Sequence, residues 1–373
     1  MTHHPTADPV RTRPRIGAGQ PSPLSRVPLV PQPILIEHDC FISTDTRYRA
    51  AARLRQALWR HDRGLPLGTI RPRDQPDAAF QALGSRIDEN AGRRGSNFIF
   101  PAVYALVRRE VALCEDGALI ETERLSSNLL SSTALVFNLL GPLALDPELA
   151  TAVFRSLLPS FVHAVEGIRF ETSPGRGDPR FLADHTAFDA AISVITPDGE
   201  PATVFLEVKF TEGLSGPAAG TRPRYDEVSM ALGLFVDPNS PVLRTRAVEQ
   251  FWRLHMLGGL AVRHGITPPA LFVTIAPSLN RRVAAALALY TAELTSPVAT
   301  SHDHVGFTAV TLERFVSAIG DAGDDRSAAY LNDRYLDLQP VLDIVLGDVP
   351  GQQEGSVGSH SMAASVASSG PSQ

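Results

Sequence analysis

The sequence predicts an α/β fold, because short strand-like runs alternate with helical patterns over the second half of the chain. Residues 45–163 show mainly helical periodicity, and β-type runs begin only after Val165. Strands that alternate with helices favour a sheet flanked by layers of helices. The chain has 373 residues, 43% of them hydrophobic, which suffices for one large or two ordinary domains with a buried core.

Composition excludes several classes of protein. No stretch approaches the ~18 consecutive apolar residues of a membrane-spanning helix. The N-terminus also lacks the apolar segment of a signal peptide. Cys40 and Cys114 are the only cysteines, too few for a disulfide framework or a thiolate zinc cluster. We therefore expect a cytoplasmic protein with no membrane partner.

Charge is distributed unevenly along the chain. The net charge is -6, but residues 1–113 carry 17 arginines against 10 acidic residues, and the remainder is acidic. Lys209 is the only lysine among 34 basic residues. The N-terminal third is therefore the expected place for a surface that contacts a polyanion. Its arginine-rich helix, predicted over 47–63, is either a solvated helix face, the more common case, or a contact with a nucleic-acid backbone.

The remaining elements follow from periodicity and stop signals. Residues 1–32 and 351–373 have the composition of a disordered arm and tail. Gly141-Pro142 is expected to end the helix that spans 125–140. The predicted helices span 45–60, 101–114, 125–140, 146–162, 245–262, 280–293, 312–320 and 327–345. The predicted strands span 167–171, 187–194, 204–210, 271–275 and 305–311.

One predicted strand carries an unusual pair of charges. In the run 204–211, Val204, Leu206, Val208 and Phe210 point to one face, and Phe205, Glu207, Lys209 and Thr211 to the other. A carboxylate and the only ammonium group thus share a face of an otherwise apolar strand. Burying them is costly unless they pair or bind a ligand.

The preceding strand supplies a second carboxylate. In the run 187–194, the apolar residues at 188, 190, 192 and 194 point to one face, and Asp189 points to the other. Its neighbours on that face are small and leave room beside its carboxylate. The intervening Thr196-Pro197-Asp198-Gly199-Glu200 is a hairpin-turn signal. A three-residue loop centred on Asp198 would set Asp189 opposite Glu207, whereas a four-residue loop would turn it to the other face. We predict the odd-length loop, although the sequence alone leaves both open.

Two carboxylates and a lysine on one sheet face suit metal-assisted phosphodiester hydrolysis. Carboxylate oxygens bind Mg²⁺ or Mn²⁺, and lysine can position water or stabilise the pentavalent phosphorus. A plain salt bridge is the alternative for Glu207 and Lys209. Every other Lys/Arg position of this chain is an arginine, which would also serve in a salt bridge. A lone lysine therefore indicates a need for a compact amine that can approach a phosphate and a water. Asp184 is a rival metal ligand, but Asp189 is preferred because Asp184 lies near the start of the strand.

The spacing of Asp189 and Glu207-Val208-Lys209 resembles the signature of the PD-(D/E)XK nuclease superfamily. Further segments resemble, in order, a family of mostly uncharacterised bacterial proteins within it, over roughly residues 45–345. These segments are LLSSTALVFNLLGPL (129–143), FETSPGR (170–176), TAFDA (186–190), LEVKFTE (206–212) and EQFWRLHML (249–257). The resemblance implies a restriction-endonuclease-like core of αβββαβ order over 125–350, a mixed central sheet flanked by helices, preceded by a helical region over 33–124.

The resemblance also implies roles for individual residues. Asp189 and Glu207 would be metal ligands, the Val208 carbonyl a further ligand, and Lys209 the catalytic lysine. Gln250 lies on the helix where related nucleases often place an active-site glutamine. Related nucleases often add a carboxylate from an earlier helix, but none lies within 125–140. Glu148, Glu171 or no residue would then take that part.

Two departures from the family pattern accompany these implied roles. Phe210 replaces a frequent tyrosine, and no proline precedes Asp189.

The function expected from the resemblance is that of a Mg²⁺-dependent nuclease, either an endonuclease or an exonuclease. DNA is favoured over RNA as its substrate, Mn²⁺ is a substitute metal, and a homodimer is one possible assembly. The alternative is an inactive nucleic-acid-binding or scaffolding module of the same fold.

Overall fold

The computed structural model describes residues 24–71, 79–118, 120–218, 220, 222–296 and 304–347. The helices are α1 (Gln32–Glu37), α2 (Arg47–Asp62), α3 (Glu89–Arg93), α4 (Pro101–Ala112), α5 (Thr122–Ser127), α6 (Ser132–Leu145), α7 (Pro147–Leu157), α8 (Pro223–Leu232), α9 (Glu249–Arg263), α10 (Arg281–Ala292), α11 (Leu312–Asp321), α12 (Asp325–Leu331) and α13 (Gln339–Gly347). The strands are β1 (Leu67–Ile70), β2 (Gln81–Ile87), β3 (Ala164–Thr172), β4 (Phe188–Ile195), β5 (Pro201–Val208), β6 (Ala270–Ala276) and β7 (Gly306–Thr311).

A five-stranded mixed sheet forms the centre, with its strands in chain order from β3 to β7. The first three strands pair antiparallel, and β6 and β7 continue the sheet parallel to β5. The connections between the parallel strands run through α8 and α9 and then through α10. This arrangement confirms the α/β class and the restriction-endonuclease-like order of elements expected from the sequence.

Each face of the sheet buries its own hydrophobic cluster. One cluster joins alternate residues of β4 and β5, such as Ile192 and Val204, to α2, α6, α7 and α11. The other joins Phe205 and Phe272 to α8, α9 and α10. Strands buried on both faces explain the nearly continuous apolar run of β6.

A two-stranded antiparallel sheet of β1 and β2 interrupts the N-terminal region that was expected to be helical. β1 ends at Ile70 and β2 begins at Gln81, so no two-residue turn motif joins these short strands and marks them as a hairpin in the sequence. β2 packs on α2. Any residue other than glycine at position 84 of β2 would place its Cβ 2.3 Å from the His38 carbonyl oxygen. That close approach requires a glycine in mid-strand.

The helix expected over 125–140 is two helices, and Gly141-Pro142 does not end the second one. α6 begins after Ser131, whose hydroxyl accepts from Ala134 N, and it continues through Pro142 to Leu145. Gly141 instead allows close packing, since a Cβ there would lie 2.7 Å from Val103 Cγ1 on α4. Burial around nearly the whole of α6 outweighs the missing proline hydrogen bond.

The C-terminal helix expected over 327–345 is also divided. A single π-helical turn, Asn332–Leu336, separates α12 from α13. Within it the Arg334 side chain is fully buried, donating to Gln56 Oε1 at 3.1 Å and stacking 4.2 Å from the Trp59 ring. The extra residue of the π turn thus accompanies an arginine directed into the core against α2.

Several arginines of α2 make contacts inside the fold rather than on a solvated face, which corrects the more common interpretation of this helix. The contact with a nucleic-acid backbone stays a prediction, since Arg47 at the start of the helix is exposed. Arg53 is buried and forms an ion pair with Asp45 at 2.7 Å. Arg55 is buried against the Asp337 carbonyl, and Arg60 donates to the carbonyls of Gly84 and Leu65.

The ends of the chain bear on the expected arm and tail. Within the expected arm of residues 1–32, the described residues begin at Leu24, and both Val27 and Val30 pack into the core. The expected tail, 351–373, lies outside the described residues.

Candidate active site

The β4–β5 hairpin has the register that the odd-length loop predicts. Paired residues run from Ala190 opposite Leu206 to Ile195 opposite Pro201. Thr196 N donates to the Glu200 carbonyl at 2.8 Å, which closes a three-residue loop, and Gly199 adopts a left-handed φ of 84° there. This pairing ends at Ala190 and Leu206, so Asp189 and Glu207 are the next residues beyond it on the two strands.

Asp189 is fixed at the start of β4 by the backbone of β5. Its Oδ2 accepts from Val208 N at 2.7 Å, one residue beyond Glu207. The expected alternation fails next to it, because Phe188 does not join the apolar face of Ala190, Ile192 and Val194. Phe188 stacks instead on Phe205, with ring centroids 4.1 Å apart, and so belongs to the cluster beneath α9.

Glu207, Lys209 and Gln250 form a closed set of hydrogen bonds. Lys209 Nζ donates to Glu207 Oε1 at 2.5 Å and to Gln250 Oε1 at 2.8 Å. Gln250 Nε2 in turn donates to Glu207 Oε1 at 2.8 Å. Glu207 and Lys209 are only 3% and 5% exposed, so the ion pair is screened from water and held in one geometry.

Close packing of α9 on the sheet brings Gln250 to this pair. Gly258 lies over Phe205, where a Cβ would meet the ring at 3.4 Å, and Gly259 lies against Leu232 of α8. Glu249 in the first turn and Arg263 in the last suit the helix dipole. The helix begins at Glu249, so Gln250 lies in its first turn.

Glu171 on β3 brings a third carboxylate close to the other two. It has a left-handed φ of 45° at the end of the strand, a conformation uncommon outside glycine. The Arg176 guanidinium lies 3.7 Å from Glu171 Oε1 and 3.3 Å from Glu115 Oε2. Glu148, the other acid considered, is exposed at the start of α7. Sequence reasoning missed Arg176 and Glu115, although Arg176 belongs to the FETSPGR segment.

Burial and mutual repulsion shift the pKa values of these acids upward. Burial is the largest cause of the raised pKa of Asp189, well above its ordinary value, and the charge of Glu207 adds to it. Burial also raises the pKa of Glu207, against the opposing effect of Lys209. The pKa of Glu171 is raised for the same reason, and Arg176 opposes the shift. Burial lowers the pKa of Lys209, but its carboxylate neighbours together outweigh it and the net shift is upward.

A cavity of about 520 Å³ opens beside these residues. Glu171, Gln250 and Arg253 are among its lining residues. Asp184, the rival ligand, also lines it, but its carboxylate accepts from Thr186 N, Thr186 Oγ1 and Tyr225 Oη at 2.6 to 2.9 Å. These three bonds occupy Asp184 in fixing the loop before β4. Asp189, by contrast, interacts electrostatically with both Glu207 and Lys209.

The donor set is suited to a hard divalent cation. In the described part of the chain no three His, Cys, Asp or Glu side chains converge as a complete metal cage. Glu207 is buried and Asp189 half-buried, and their negative charges are offset by Lys209 and, for Glu207, also by Arg253. Mg²⁺ is commonly held by one or two carboxylates and keeps waters or phosphate oxygens as its other ligands. The residues present therefore fit such an ion.

Comparison with known proteins identifies one family. The family model described as the PD-(D/E)XK nuclease superfamily matches residues 43–337. No curated protein and no solved structure matches the chain. Across the described residues, none of the helices has both the length and the apolar character needed to cross a membrane.

Proposed function

Since the chain belongs to the PD-(D/E)XK nuclease superfamily, whose members generally hydrolyse phosphodiester bonds, we propose that it is a metal-dependent nuclease that cleaves DNA. The observation that carries the proposal is the buried Glu207–Lys209 pair, bonded to Gln250 and placed beside Asp189. A salt bridge with no further role would not need a second carboxylate nearby, because the two negative charges repel each other.

Asp189 and Glu207 would hold the metal ion through carboxylate oxygens, with the carbonyl of Val208 as a further ligand. Bound there, Mg²⁺ or Mn²⁺ would lower the pKa of a coordinated water and offset negative charge on the phosphate. Val208 N holds Asp189 Oδ2, which orients that carboxylate before any ion arrives.

Lys209 would act on the substrate itself. Its upward pKa shift keeps the ammonium protonated at neutral pH, so it can donate to a phosphate oxygen or to the attacking water. Burial strengthens this interaction because few waters compete for the ammonium. Gln250 would be a positioning residue, since its amide bonds both Lys209 and Glu207. Glu171 would add negative charge on the β3 side of the site.

The first test is a cleavage assay with defined substrates and metals. Supercoiled plasmid, linear duplex, single-stranded DNA and RNA would each be incubated with Mg²⁺, Mn²⁺ or EDTA. Wild type would be compared with Lys209→Ala and Asp189→Asn. The exposed Arg109→Ala serves as a control purified in the same way. We expect metal-dependent cutting of DNA by wild type and the control, and none by the two site variants.

The possible results separate the proposal from its alternatives. Cutting that persists in Lys209→Ala at the wild-type rate would contradict the role of that residue, provided that the variant has the wild-type circular dichroism spectrum. Binding of DNA by wild type with no turnover in any metal would favour an inactive binding module of the same fold. Cutting of RNA alone would keep the mechanism and change the substrate.

A further inference from the structure

A second cavity, of about 340 Å³, lies between the start of α2 and the start of α10. Four arginines line it, namely Arg26, Arg47, Arg281 and Arg282, and we call it the arginine cavity. None of the described residues that line it is acidic. All four arginines are exposed, and none forms an ion pair within the described residues.

This pattern is unusual for this chain. The arginines of α2 beyond its first residue are largely consumed by internal contacts, such as Arg53 with Asp45. Two acids that act electrostatically on Tyr48, a lining residue, are also engaged. Glu313 accepts from Ser278 N and Oγ, and Glu212 accepts from Phe210 N at 2.6 Å. Arg282 donates to the Gly213 carbonyl at 3.5 Å, but none of the four guanidinium groups has an acidic partner among the described residues. Like charges around one concave surface repel one another unless an anion neutralises them.

The cavity lies near the proposed catalytic strand. The segment that leaves β5 passes Asn280, whose Nδ2 donates to the carbonyls of Phe210 and Glu212 at 3.0 and 3.2 Å. It then reaches Gly213, where a Cβ would lie 3.3 Å from Thr46 Cγ2 and 4.0 Å from Arg282 Nη1. Gly213 is four positions after Lys209, a span of at most about 14 Å even for an extended chain.

We propose that the arginine cavity binds a backbone phosphate of the nucleic-acid strand whose scissile phosphate lies at Lys209. Phosphates along one strand are spaced about 3.4 Å apart in rise, so the span of at most about 14 Å from Lys209 to Gly213, beside the cavity, corresponds to no more than about four nucleotides along the axis. Guanidinium groups suit this ligand because their donors match phosphate oxygens in pairs. The inference rests on the proposed nuclease function and adds to it a second anchor for the same strand.

Binding can be measured without cleavage, by fluorescence anisotropy of a labelled DNA duplex in EDTA over a range of NaCl concentrations. The test variant is Arg47→Gln/Arg281→Gln, which removes one arginine from each helix. The matched control is Arg108→Gln/Arg109→Gln, which removes the same charge from exposed positions on α4. We expect the test variant to bind roughly tenfold more weakly at about 0.1 M salt, with a salt slope smaller by about one. The control should bind like wild type.

The outcomes distinguish the inference from the proposed function. Equal loss in both double variants would overturn the inference, because net charge and not the cavity would then be responsible. So would wild-type binding by the test variant, or no DNA binding by wild type. Binding of a labelled mononucleotide that requires Arg47 and Arg281, together with wild-type binding of the duplex by the test variant, would assign the cavity to a free nucleotide and also overturn it. If only the test variant loses DNA binding and the wild type never cleaves DNA, the phosphate-binding role of the arginine cavity is supported and only the proposed nuclease activity is contradicted.

Discussion

Gln250 Nε2 donates to Glu207 Oε1 at 2.8 Å, although the two residues are 43 positions apart in the chain. The bond joins the first turn of α9 to the buried end of β5. Lys209 Nζ shares the same carboxylate oxygen, so one acceptor atom is held from two directions. The orientation of a proposed metal ligand therefore depends on a helix that contributes no carboxylate to the metal.

Replacing Gln250 by alanine should weaken the response to metal more than the binding of substrate. Without its amide, Glu207 loses one of the two donors that orient Oε1, and outer partners of metal ligands typically contribute 10- to 100-fold. We expect the Mg²⁺ concentration for half-maximal cleavage to rise by about that factor. The KM for DNA should change little.

The control for this prediction is Gln339→Ala, which removes an amide bonded only to Asp343 on the surface of α13. It should retain the wild-type dependence on Mg²⁺. An unchanged metal dependence in Gln250→Ala, together with an altered melting temperature, would show that Gln250 is structural only.

Divalent metal should stabilise the folded protein, and this effect should require Asp189. An ion that binds only the native state raises the free energy of unfolding by about 2.7 kcal/mol at 100 times its dissociation constant. Thermal unfolding with EDTA and with increasing Mg²⁺ would show a midpoint that rises by several degrees for wild type. Asp189→Asn keeps the size of the side chain but removes its charge, and its midpoint should not respond. An equal rise in both proteins would place the metal elsewhere.

Acid should destabilise the protein through His255. This ring is buried between Tyr290 Oη and the Val305 carbonyl, and burial lowers its pKa to about 4. The unfolded chain takes up a proton near pH 6.5, whereas the native state resists protonation until about pH 4. The contribution is thus complete above about pH 6.5 and is lost as the pH falls to 4, by about 3 kcal/mol. Urea unfolding across this range should show the loss in wild type and not in His255→Gln, and parallel curves would contradict it.

Arg334→Lys should destabilise the fold strongly despite keeping the charge. The guanidinium donates to the Asn97 carbonyl at 2.8 Å and to Tyr330 Oη at 2.7 Å, besides Gln56. A lysine cannot reach these acceptors together, so the free energy of unfolding should fall by about 2 to 4 kcal/mol. Arg326→Lys, which changes an exposed arginine over the Phe100 ring, should cost under about 0.5 kcal/mol. Chemical denaturation of both variants measures the difference.

The central sheet could be predicted from the sequence because its signals are local. Alternating apolar residues and the Thr196–Glu200 turn indicate β4, β5 and their hairpin without reference to the rest of the chain, and the structure then decides between the two registers left open. The resemblance to known nucleases then added Gln250, whose contact with Glu207 no local pattern reveals. Asp189, Glu207, Lys209 and Gln250 are therefore found together, although their chemical roles stay predictions.

Other features depended on distant contacts and could not be predicted. Phe188 leaves its expected face because Phe205 and Phe272 offer an aromatic surface beneath α9. Pro142 lies inside a helix because packing, rather than local propensity, sets the end of α6. Arg55 forms an ion pair with Asp333, which lies 278 residues later in the chain. The spacing of arginines along α2 therefore could not show which of these arginines are buried.

The single lysine makes the proposed site accessible to selective observation. Because Lys209 is the only one in 373 residues, isotopic labelling of lysine places its only side-chain probe beside Glu207. The NMR signal of that one ammonium group would then report on metal, DNA or substitutions at Gln250 with no assignment problem. The same scarcity means that amine-directed reagents have one side-chain target, which the fold keeps 95% covered until the chain opens.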